Sequence, residues 1–535
     1  MNAGKASRKF WIAPLILFVL YACYLLWAQG PLLFGPFALP TGDNAADDML
    51  IIDAEHLRLL HGNYSRFGFY HPGPWFLLVA AAGEKLFYGW TRIFHSYLAA
   101  QSFISSLGIG AALSLSCRLW LLVTRRVYLA LLSTGIMAAT ILAPLSPANP
   151  LILPFWTPYA ALAASLMAAT GLAGVLLRGT SWLPLLVLGS VQLIHAHAGF
   201  LGIMPMILSL ALLLAGVTGR LPFQPRSLSS IKGWVNANAI SVCLSAAICF
   251  MFAIPILLDM IVKFPGLIGY YIRFAGKLPP QRLSAAMGYI RLFVPVGGSW
   301  LLLFLLPVVN NPAISDVRAA GLIVFFSASV TAFWYSWRQV DDVANLYLLL
   351  WFLPFVGTAL VAALLVGLRA RPLQFPLRMF LCCLALVVAC HTVAGVDPKL
   401  VMDVAANQPI QRAADLILAE SAPSGNDRIE LSLDQSPDAW LPVWSETVAV
   451  LAALKRHGRR DFCIAPVSWV ILFDEANRCD PGRDRIVGRR YVTLWSHRNQ
   501  SLAPLRFNLS VMQMPSRPMS GQAVMSENYQ GVAIK

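Results

Sequence analysis

The chain carries little charge for its length. Only 12% of its 535 residues are charged, whereas a soluble protein has about 25%. Apolar residues make up 58% of the chain. Hydrophobic runs of about 18 residues or more recur along the first three quarters, and runs of that length predict membrane-spanning helices. The composition therefore predicts a mainly α, polytopic helical membrane protein.

Several motifs of soluble enzymes are missing as well. The sequence has no Walker loop, no HExxH pair, no nucleophile elbow and no dinucleotide fingerprint. These absences argue against ATP-driven transport and most soluble chemistries. There is also no basic-aromatic stripe or recognised nucleic-acid module, so the formal charge of +15 does not indicate nucleic-acid binding.

Cysteine is scarce outside the apolar runs. Only Cys463 and Cys479 lie in the polar carboxyl-terminal quarter, where an oxidising compartment would allow a disulfide; otherwise they are two free thiols. The remaining cysteines are expected to be small buried hydrophobic residues rather than metal or redox groups. They are Cys23, Cys117, Cys243, Cys249, Cys382, Cys383 and Cys390.

The lysines and arginines cluster in short loops between the apolar runs, which is the positive-inside pattern. About eleven spans are predicted, and a cytoplasmic amino end puts the basic loops on the inner side. An odd number of spans then places the carboxyl end outside. The predicted spans are approximately 10–29, 98–122, 127–146, 157–177, 182–199, 201–218, 236–258, 290–309, 318–336, 347–368 and 377–396. The inner loops hold Arg125, Arg126, Arg178, Arg220, Arg226, Lys232, Arg318, Arg369, Arg371 and Arg378.

The first predicted outer segment, at about 30–97, holds four aspartates. They are Asp43, Asp47, Asp48 and Asp53. A chain this apolar rarely places acids at a bilayer edge without a use for them.

Two helices are expected in this segment. The first would run from Asp47 to Leu60, with Asp43 or Asn44 as its cap and Gly62-Asn63 at its end. A second interfacial helix is expected from Pro74 to Tyr88.

Two further outer segments are predicted, at about 259–289 and 397–535. The chain would therefore divide into a membrane domain, 1–397, and a carboxyl-terminal domain, 398–535. In the latter, a helix is expected from Trp440 to Leu454. Strands or apolar pieces are expected at Asp461 to Ala465, Val467 to Phe473 and Arg489 to Trp495. This alternation predicts a small α/β domain.

The first outer segment resembles that of the GT-C superfamily of integral membrane glycosyltransferases, and most of all the branch of protein O-mannosyltransferases and lipid A aminoarabinose transferases. That segment carries an acidic pair, a leucine-rich turn with glycine, and a basic-proline motif. The corresponding residues here are Asp47-Asp48, Leu59-Leu60-His61-Gly62-Asn63 and His71-Pro72-Gly73-Pro74. His71 stands where a lysine is common in that branch. The motifs lie within residues 10–125, and beyond them the likeness is one of topology.

The resemblance implies an inverting glycosyltransferase of the bacterial inner membrane. It would move a sugar from a polyprenyl-phosphate donor to a glycan, lipid or protein acceptor on the outer face. Asp47 would be the general base that takes the proton of the acceptor hydroxyl. Asp48 or Asp43 would orient the acceptor or hold a divalent cation such as magnesium, manganese or calcium.

The donor's phosphate and sugar would need a second group of residues. The phosphate requires cationic or hydrogen-bonding partners that stabilise it as the leaving group. Two candidates flank the proline turn, and several others lie in the outer segment after the seventh span. The candidates are Tyr64, Arg66, His71, His197, Lys263, Arg273 and Lys277.

Two other polar pairs lie near outer ends of spans. His195 and His197 stand two residues apart, on different faces of a helix, so these two alone do not make a zinc site. One of them could face the acidic pair. Asp341 and Asp342 could also reach the cavity, or could simply end a helix at the water boundary.

Two other function classes remain open. A secondary transporter often shows internal repeats and broken helices near the membrane midplane; no repeat is visible here, and the acids lie in a loop. A non-catalytic scaffold of the envelope would use the carboxyl-terminal domain to bind a partner. The acidic pair favours the transferase.

The span count makes a topological prediction. A reporter enzyme fused after residue 400 should be active only if it needs the extracytoplasmic compartment, because an odd number of spans exports the carboxyl end. Paired fusions to alkaline phosphatase and to a cytoplasmic reporter would measure this. Activity of the cytoplasmic reporter alone would contradict the odd count.

Overall fold

The structure is a computed structural model. It describes residues 3–28, 30–35, 39–65, 67, 69–142, 157–221, 228–274, 278–305, 312–341, 343, 345–370, 410–411, 413–415, 417–419, 429–431, 440–464, 477–479, 490–497 and 506–513.

Helices make up nearly all of the described membrane region. The α-helices are α1 (Ala3–Ala28), α2 (Gly30–Leu33), α3 (Gly42–Glu55), α4 (Trp75–Gly83), α5 (Tyr97–Thr124), α6 (Val127–Leu142), α7 (Thr157–Arg178), α8 (Leu183–Ala196), α9 (Phe200–Val217), α10 (Leu228–Ala237), α11 (Ala239–Val262), α12 (Gly266–Phe274), α13 (Leu283–Leu292), α14 (Pro312–Arg338), α15 (Leu353–Ala370) and α16 (Trp440–Arg456). A π-helix follows α4 at Glu84–Trp90, and 3₁₀ segments lie at Thr180–Trp182, Pro295–Leu305 and Leu346–Phe352.

Most of the predicted spans correspond to apolar helices. Within the described residues, seven helices are long and apolar enough to cross a membrane, and each coincides with a predicted span. Two more predicted spans, 127–146 and 182–199, correspond to the shorter apolar helices Val127–Ile141 and Thr180–Ala196. The span at 377–396 lies outside the described residues. The chain is therefore a multi-pass membrane protein.

The predicted span 290–309 is not a continuous α-helix. Helix α13 ends at Leu292, and the chain continues as a 3₁₀ segment from Pro295 to Leu305. Proline lacks the N–H that an α-helix uses, and Gly298 has a positive φ of 83°. The apolar composition was recognised correctly, but these residues break the regular helix.

Small residues let the central helices approach closely. A Cβ at Gly189 of α8 would lie 2.4 Å from the backbone nitrogen of Ala168 in α7, and one at Gly171 would lie 2.4 Å from that of Leu186. Membrane helices commonly pack through such small residues. Helix α7 is accordingly alanine-rich and largely buried at the centre of the main hydrophobic cluster.

Cation–π contacts show which helix ends lie together. The Arg125 guanidinium lies 5.0 Å from the Phe10 ring, and that of Arg118 lies 5.7 Å from the Trp182 ring. The start of α1, the end of α5 and the start of α8 therefore share one end of the bundle. By alternation, the start of α7 and the turn between α8 and α9 lie at the opposite end, which we call the site end.

The first outer segment folds differently from the prediction in its details. Helix α3 begins at Gly42 instead of Asp47, and its N-cap is Thr41 rather than Asp43 or Asn44. It ends at Glu55, well before Gly62, because Leu57 has a left-handed φ of 54°. The second predicted helix, Pro74 to Tyr88, consists of α4 followed by the π-helix.

The carboxyl-terminal region mixes helix and strands, as predicted. Helix α16 and the strands β4 (Phe462–Ile464) and β5 (Arg490–His497) match predicted elements. Strand β4 pairs in parallel with β3 (Ile429–Leu431), and β5 pairs antiparallel with β6 (Arg506–Gln513). The predicted piece at Val467 to Phe473 lies outside the described residues.

The carboxyl-terminal region and the first outer segment share a buried cluster. Ala45 and Met49 of α3 and Leu98 of α5 pack with apolar residues of α16, including Leu451, and with Phe462 of β4. The described part of the carboxyl-terminal region is thus docked on the segment that holds the acidic pair.

Candidate functional site

A short hairpin carries the proline motif to the site end. Its strands, β1 (Tyr64–Ser65) and β2 (Phe69–Tyr70), are antiparallel. The Gly62 N–H donates to the His71 carbonyl at 2.8 Å, and the His71 N–H donates to the Asn63 carbonyl at 2.9 Å. The pairing holds Asn63 and His71 side by side.

Two glycines allow this hairpin to sit on the end of α8. A Cβ at Gly73 would lie 2.0 Å from His195 Nδ1, and a Cβ at Gly62 would lie 2.8 Å from the Gly73 carbonyl oxygen. Only glycine fits such close approaches. The glycines of the turn and proline motif thus place the hairpin between α3 and the bundle.

The hairpin, α3 and the bundle enclose a cavity of about 200 Å³. Residues of α3 and the hairpin form one side. The other side consists of the ends of α7, α8, α9 and α14 and of the 3₁₀ segment that precedes α15. The lining residues are Asp43, Ala46, Asp47, Met49, Leu50, Asn63, Tyr64, Ser65, Phe67, His71, Pro158, Ala161, Ala196, His197, Phe200, Tyr335, Gln339, Asp341, Tyr347, Leu348 and Trp351. No lysine or arginine is among these described residues.

Asp47 is the buried acid of the cavity. It is only 5% exposed, and its Oδ1 accepts a hydrogen bond from Asn63 Nδ2 at 2.7 Å. Its Oδ2 has no hydrogen-bond partner among the described residues. Burial raises the pKa of Asp47 well above its ordinary value of 3.8, and the charges of Asp43 and then Asp48 raise it further.

The acidic pair divides between two faces of α3. Asp43 and Asp47 are four residues apart, so they share a face, and both line the cavity. Asp48 lies about 100° further round the helix and is not a lining residue. Its carboxylate is fully buried against Arg456 of α16. Of the two acids expected to orient an acceptor, Asp43 thus lines the cavity, whereas Asp48 is held by Arg456 on the other face.

His71 is a neutral hydrogen-bonding residue in this site. Its Nδ1 accepts a hydrogen bond from the Ala198 N–H at 3.2 Å, which leaves the proton on Nε2. Its ring stands 4.4 Å from that of His197 between centroids. Burial lowers the pKa of His71 well below 6.5, and His197 lowers it further. His71 thus offers an N–H donor at the position where a lysine is common in the glycosyltransferase branch that the first outer segment resembles.

The two histidines of the predicted pair have different positions. His197 lines the cavity, and its Nδ1 accepts the Gly199 N–H at 3.0 Å. His195 points away from the acids: its Nε2 lies 2.8 Å from the Phe252 carbonyl oxygen, and its ring packs under Gly73. His195 therefore supports the hairpin rather than facing the acidic pair.

The other predicted donor-binding residues are less well gathered. Tyr64 lines the cavity, whereas Arg66 and Lys277 lie outside the described residues. Arg273 is exposed on α12, donates to its own helix at the Gly269 carbonyl (3.1 Å), and does not line the cavity. Lys263 is exposed at the end of α11 and is likewise not a lining residue.

Of the predicted pair Asp341 and Asp342, the structure describes only the first. Asp341 lines the cavity, which the proposed reach of that acid requires, while Asp342 lies outside the described residues.

A cation from the carboxyl-terminal region reaches the cavity rim. Cys463 and Cys479 form a disulfide, with Cα atoms 4.9 Å apart. Next to it, Arg478 Nη2 lies 3.5 Å from the Tyr64 hydroxyl, and the guanidinium carbon stands 5.7 Å from the Tyr64 ring centroid. Only the cysteine spacing hinted at this neighbourhood in the sequence.

Other site residues were missed by sequence reasoning. Asn63 was assigned to the leucine-rich turn and to a helix end, with no contact to the acids, yet its amide donates to Asp47. Tyr335 of α14 and Trp351 of the 3₁₀ segment before α15 also line the cavity. Both are aromatic residues in apolar runs, and the sequence does not distinguish such residues that line a cavity from those that pack in the core.

The acidic pair does not fit a shared divalent cation. Asp48 accepts hydrogen bonds from Arg456 and Gln101, so a cation would have to displace a buried guanidinium. Among the described residues, no three histidine, cysteine or acidic side chains come together as metal ligands would. The acidic pair is therefore not assigned as a metal site.

One solved structure shares this architecture over most of the chain. ArnT from Cupriavidus metallidurans, bound to undecaprenyl phosphate, matches over 90% of this chain and 93% of its own, with 12% identity and a TM-score of 0.52. An oligosaccharyltransferase from Archaeoglobus fulgidus, tethered with an acceptor peptide, matches over 81% of this chain and 63% of its own, with 13% identity and a TM-score of 0.36, which is too low to carry an argument. No protein-family model and no curated protein matches the sequence. The chain therefore has the GT-C type membrane fold that the opening motif predicted.

Proposed function

We propose that this protein transfers a sugar from a polyprenyl-phosphate donor to a hydroxyl of an envelope glycan, lipid or protein, at the outer face of a bacterial inner membrane. The observation that carries the proposal is Asp47, a buried carboxyl group whose Oδ2 has no partner among the described residues and which lines the cavity. The fold supports a lipid-linked donor, since a solved structure of the same fold holds undecaprenyl phosphate.

The reaction requires one proton transfer to the protein. The acceptor oxygen forms a bond to the anomeric carbon while the bond from that carbon to the phosphate oxygen breaks. The bonding electrons leave with the polyprenyl phosphate, and attack from the opposite side inverts the anomeric carbon. The acceptor proton passes to Asp47 Oδ2, which acts as general base.

The surroundings of Asp47 suit that role. Asn63 fixes Oδ1 by its hydrogen bond of 2.7 Å, so the carboxylate is oriented before substrate binds. No lysine or arginine among the described lining residues stands beside it to weaken it as a base. Its raised pKa makes it a stronger proton acceptor than an exposed aspartate.

The leaving phosphate would be held at the hairpin. His71 offers its Nε2–H, and Arg478 offers a permanent positive charge beside Tyr64 at the rim. Hydrogen bonds from a guanidinium to phosphate are charge-assisted and stabilise a leaving group. Arg478 would therefore supply the charge that His71 lacks.

Replacing the base tests the proposal most directly. Asp47→Asn should lower kcat for sugar transfer about 100- to 10,000-fold, the usual size of a general-base contribution. Its melting temperature should equal or exceed that of the wild type. A carboxyl whose folded pKa is raised stabilises the fold only at low pH and loses that contribution as pH rises through the folded pKa. Product formation by purified protein in lipid measures kcat, and thermal unfolding of the same preparation measures the melting temperature.

The matched control is Asp415→Asn, an exposed acid whose recorded partner is Gln411, four residues before it. This variant should keep both activity and melting temperature. Full transfer by folded Asp47→Asn would overturn the assignment, and substrate uptake into vesicles without covalent product would favour a transporter.

The pH dependence should report the environment of Asp47. Only the ionised carboxylate accepts a proton, so kcat/KM should rise with pH and level off above the raised pKa. Asp43→Asn removes one of the charges that raise this pKa, so the rising limb should move to lower pH. Profiles of kcat/KM against pH for the two proteins measure the shift, and an unmoved limb contradicts it. The other titratable residues lining the cavity are the same in both proteins: Tyr64, His71, His197, Tyr335, Asp341 and Tyr347.

The rim cation should act on donor binding. Arg478→Gln is expected to raise the donor KM about tenfold, because a hydrogen bond to a charged group contributes about 1.5–3 kcal/mol. Reduction of the neighbouring disulfide should move KM in the same direction, since Cys479 anchors Arg478. Initial rates at varied donor measure this, with Arg291→Gln, exposed at the end of α13, as the control. An unchanged donor KM in Arg478→Gln would remove the residue from the site.

A further inference from the structure

A cluster of buried charges joins α16 to α3. Arg456 donates from Nε to Asp48 Oδ2 at 3.0 Å and from Nη2 to Glu84 Oε2 at 2.9 Å, and it makes shorter contacts to the other oxygen of each carboxylate. Gln101 of α5 donates to the same carboxylates, at 3.1 Å to Asp48 and 2.8 Å to Glu84. The guanidinium carbon also lies 3.8 Å from the Tyr97 ring centroid.

The carboxylates of the cluster are buried, and the Arg456 side chain is 17% exposed. Asp48 and Gln101 are 0% exposed, and Glu84 is 4% exposed. Burial alone would lower the pKa of Arg456, but Asp48 and Glu84 together raise it, so the guanidinium remains charged. One planar fork bridges two carboxylates from two different helical segments, which a lysine cannot reproduce.

The preceding residue of α16 holds α3 at a second point. Lys455 Nζ donates to Asp53 Oδ2 at 2.7 Å and to the Met49 carbonyl at 2.8 Å. Arg460 adds an ion pair with Asp53 at 3.3 Å. Consecutive basic residues of α16 therefore hold α3 on one side along more than one turn.

Holding that side fixes the rotation of α3 about its axis. Asp47 and Asp48 are consecutive, and consecutive helical residues point about 100° apart. With Asp48 held by Arg456, Asp47 faces the cavity. A rotation of α3 that released Asp48 would also move Asp47 away from Asn63.

We propose that Arg456 is a positioning residue, and that the carboxyl-terminal region must be docked through it for Asp47 to face the cavity. The catalytic half of this inference rests on the proposed function. The carboxyl-terminal region is then part of the site's framework instead of an accessory domain, although Arg456 itself does not line the cavity.

The decisive variant is Arg456→Lys, which keeps the charge but loses the fork. It should fold, yet its kcat should fall about tenfold or more, because small misplacements of a catalytic group cost rate steeply. The donor KM should change less than kcat, because Lys455 and Arg460 still hold the carboxyl-terminal region on α3 and the disulfide still anchors Arg478. Amide hydrogen exchange in α3 should be faster than in the wild type.

The matched control is Arg459→Lys. Arg459 pairs with Asp461 at 2.7 Å and lies over Phe462, both within the carboxyl-terminal region. This variant should leave kcat and the exchange of α3 unchanged.

A second variant covers a failure of Arg456→Lys to fold. The triple variant Arg456→Gln, Asp48→Asn, Glu84→Gln removes every charge of this cluster, so it leaves none of them unpaired and should fold, and it should show the same loss of kcat. Wild-type kcat in either variant overturns the proposal, and so does unchanged α3 exchange, whatever the kcat. A wild-type protein that transfers no sugar overturns the proposed function instead, and the exchange data still decide the anchoring.

Discussion

The buried ion cluster of Arg456, Asp48 and Glu84 is the interaction on which the site depends. Removing one partner of a buried ion pair costs about 3–5 kcal/mol, because the remaining charge has no water to solvate it. Each of these three residues belongs to a different element. Breaking the cluster would therefore destabilise the packing of these elements against one another. The carboxyl-terminal region, α3 and the π-helix are thereby fixed together beside the cavity that Asp47 lines.

The same cluster explains why one helix can carry two adjacent acids of opposite character. Asp48 pairs with the Arg456 guanidinium as part of the framework. Asp47 faces the cavity with an amide as its recorded partner, and burial raises its pKa. Helical geometry alone separates them, since neighbouring side chains diverge by about 100°. An acidic pair in sequence is therefore two residues with two tasks.

Much of the fold was predictable, because the bilayer imposes lengths and composition that a single sequence displays. The long apolar helices match predicted spans, and the opening motif indicated the fold. Helix ends were less predictable: Leu57 ends α3 early, in a left-handed conformation that no glycine announces. The partner of Asp48 was beyond sequence reasoning, since Arg456 lies 408 residues away in another region. Asp47 could be singled out because the motif carries it, whereas Asn63 and Trp351 acquire their roles only through packing.

Among the described residues, positive charge is distributed unevenly around the cavity: a cation lies at its rim but not beside Asp47. A cation beside Asp47 would stabilise its ionised form and lower its pKa, which would weaken it as a proton acceptor. The basic residues of α16 lie nearby, but they pair with Asp48 and Asp53 of α3 and with Glu84 of the π-helix, none of which lines the cavity. At the rim, Arg478 stands next to Tyr64, on the side where a phosphate would leave. Positive charge thus lies at the rim, where the proposed leaving phosphate would need it, and away from Asp47, the proposed proton acceptor. Helix α3, held in one rotation, separates Asp47 from the basic residues of α16.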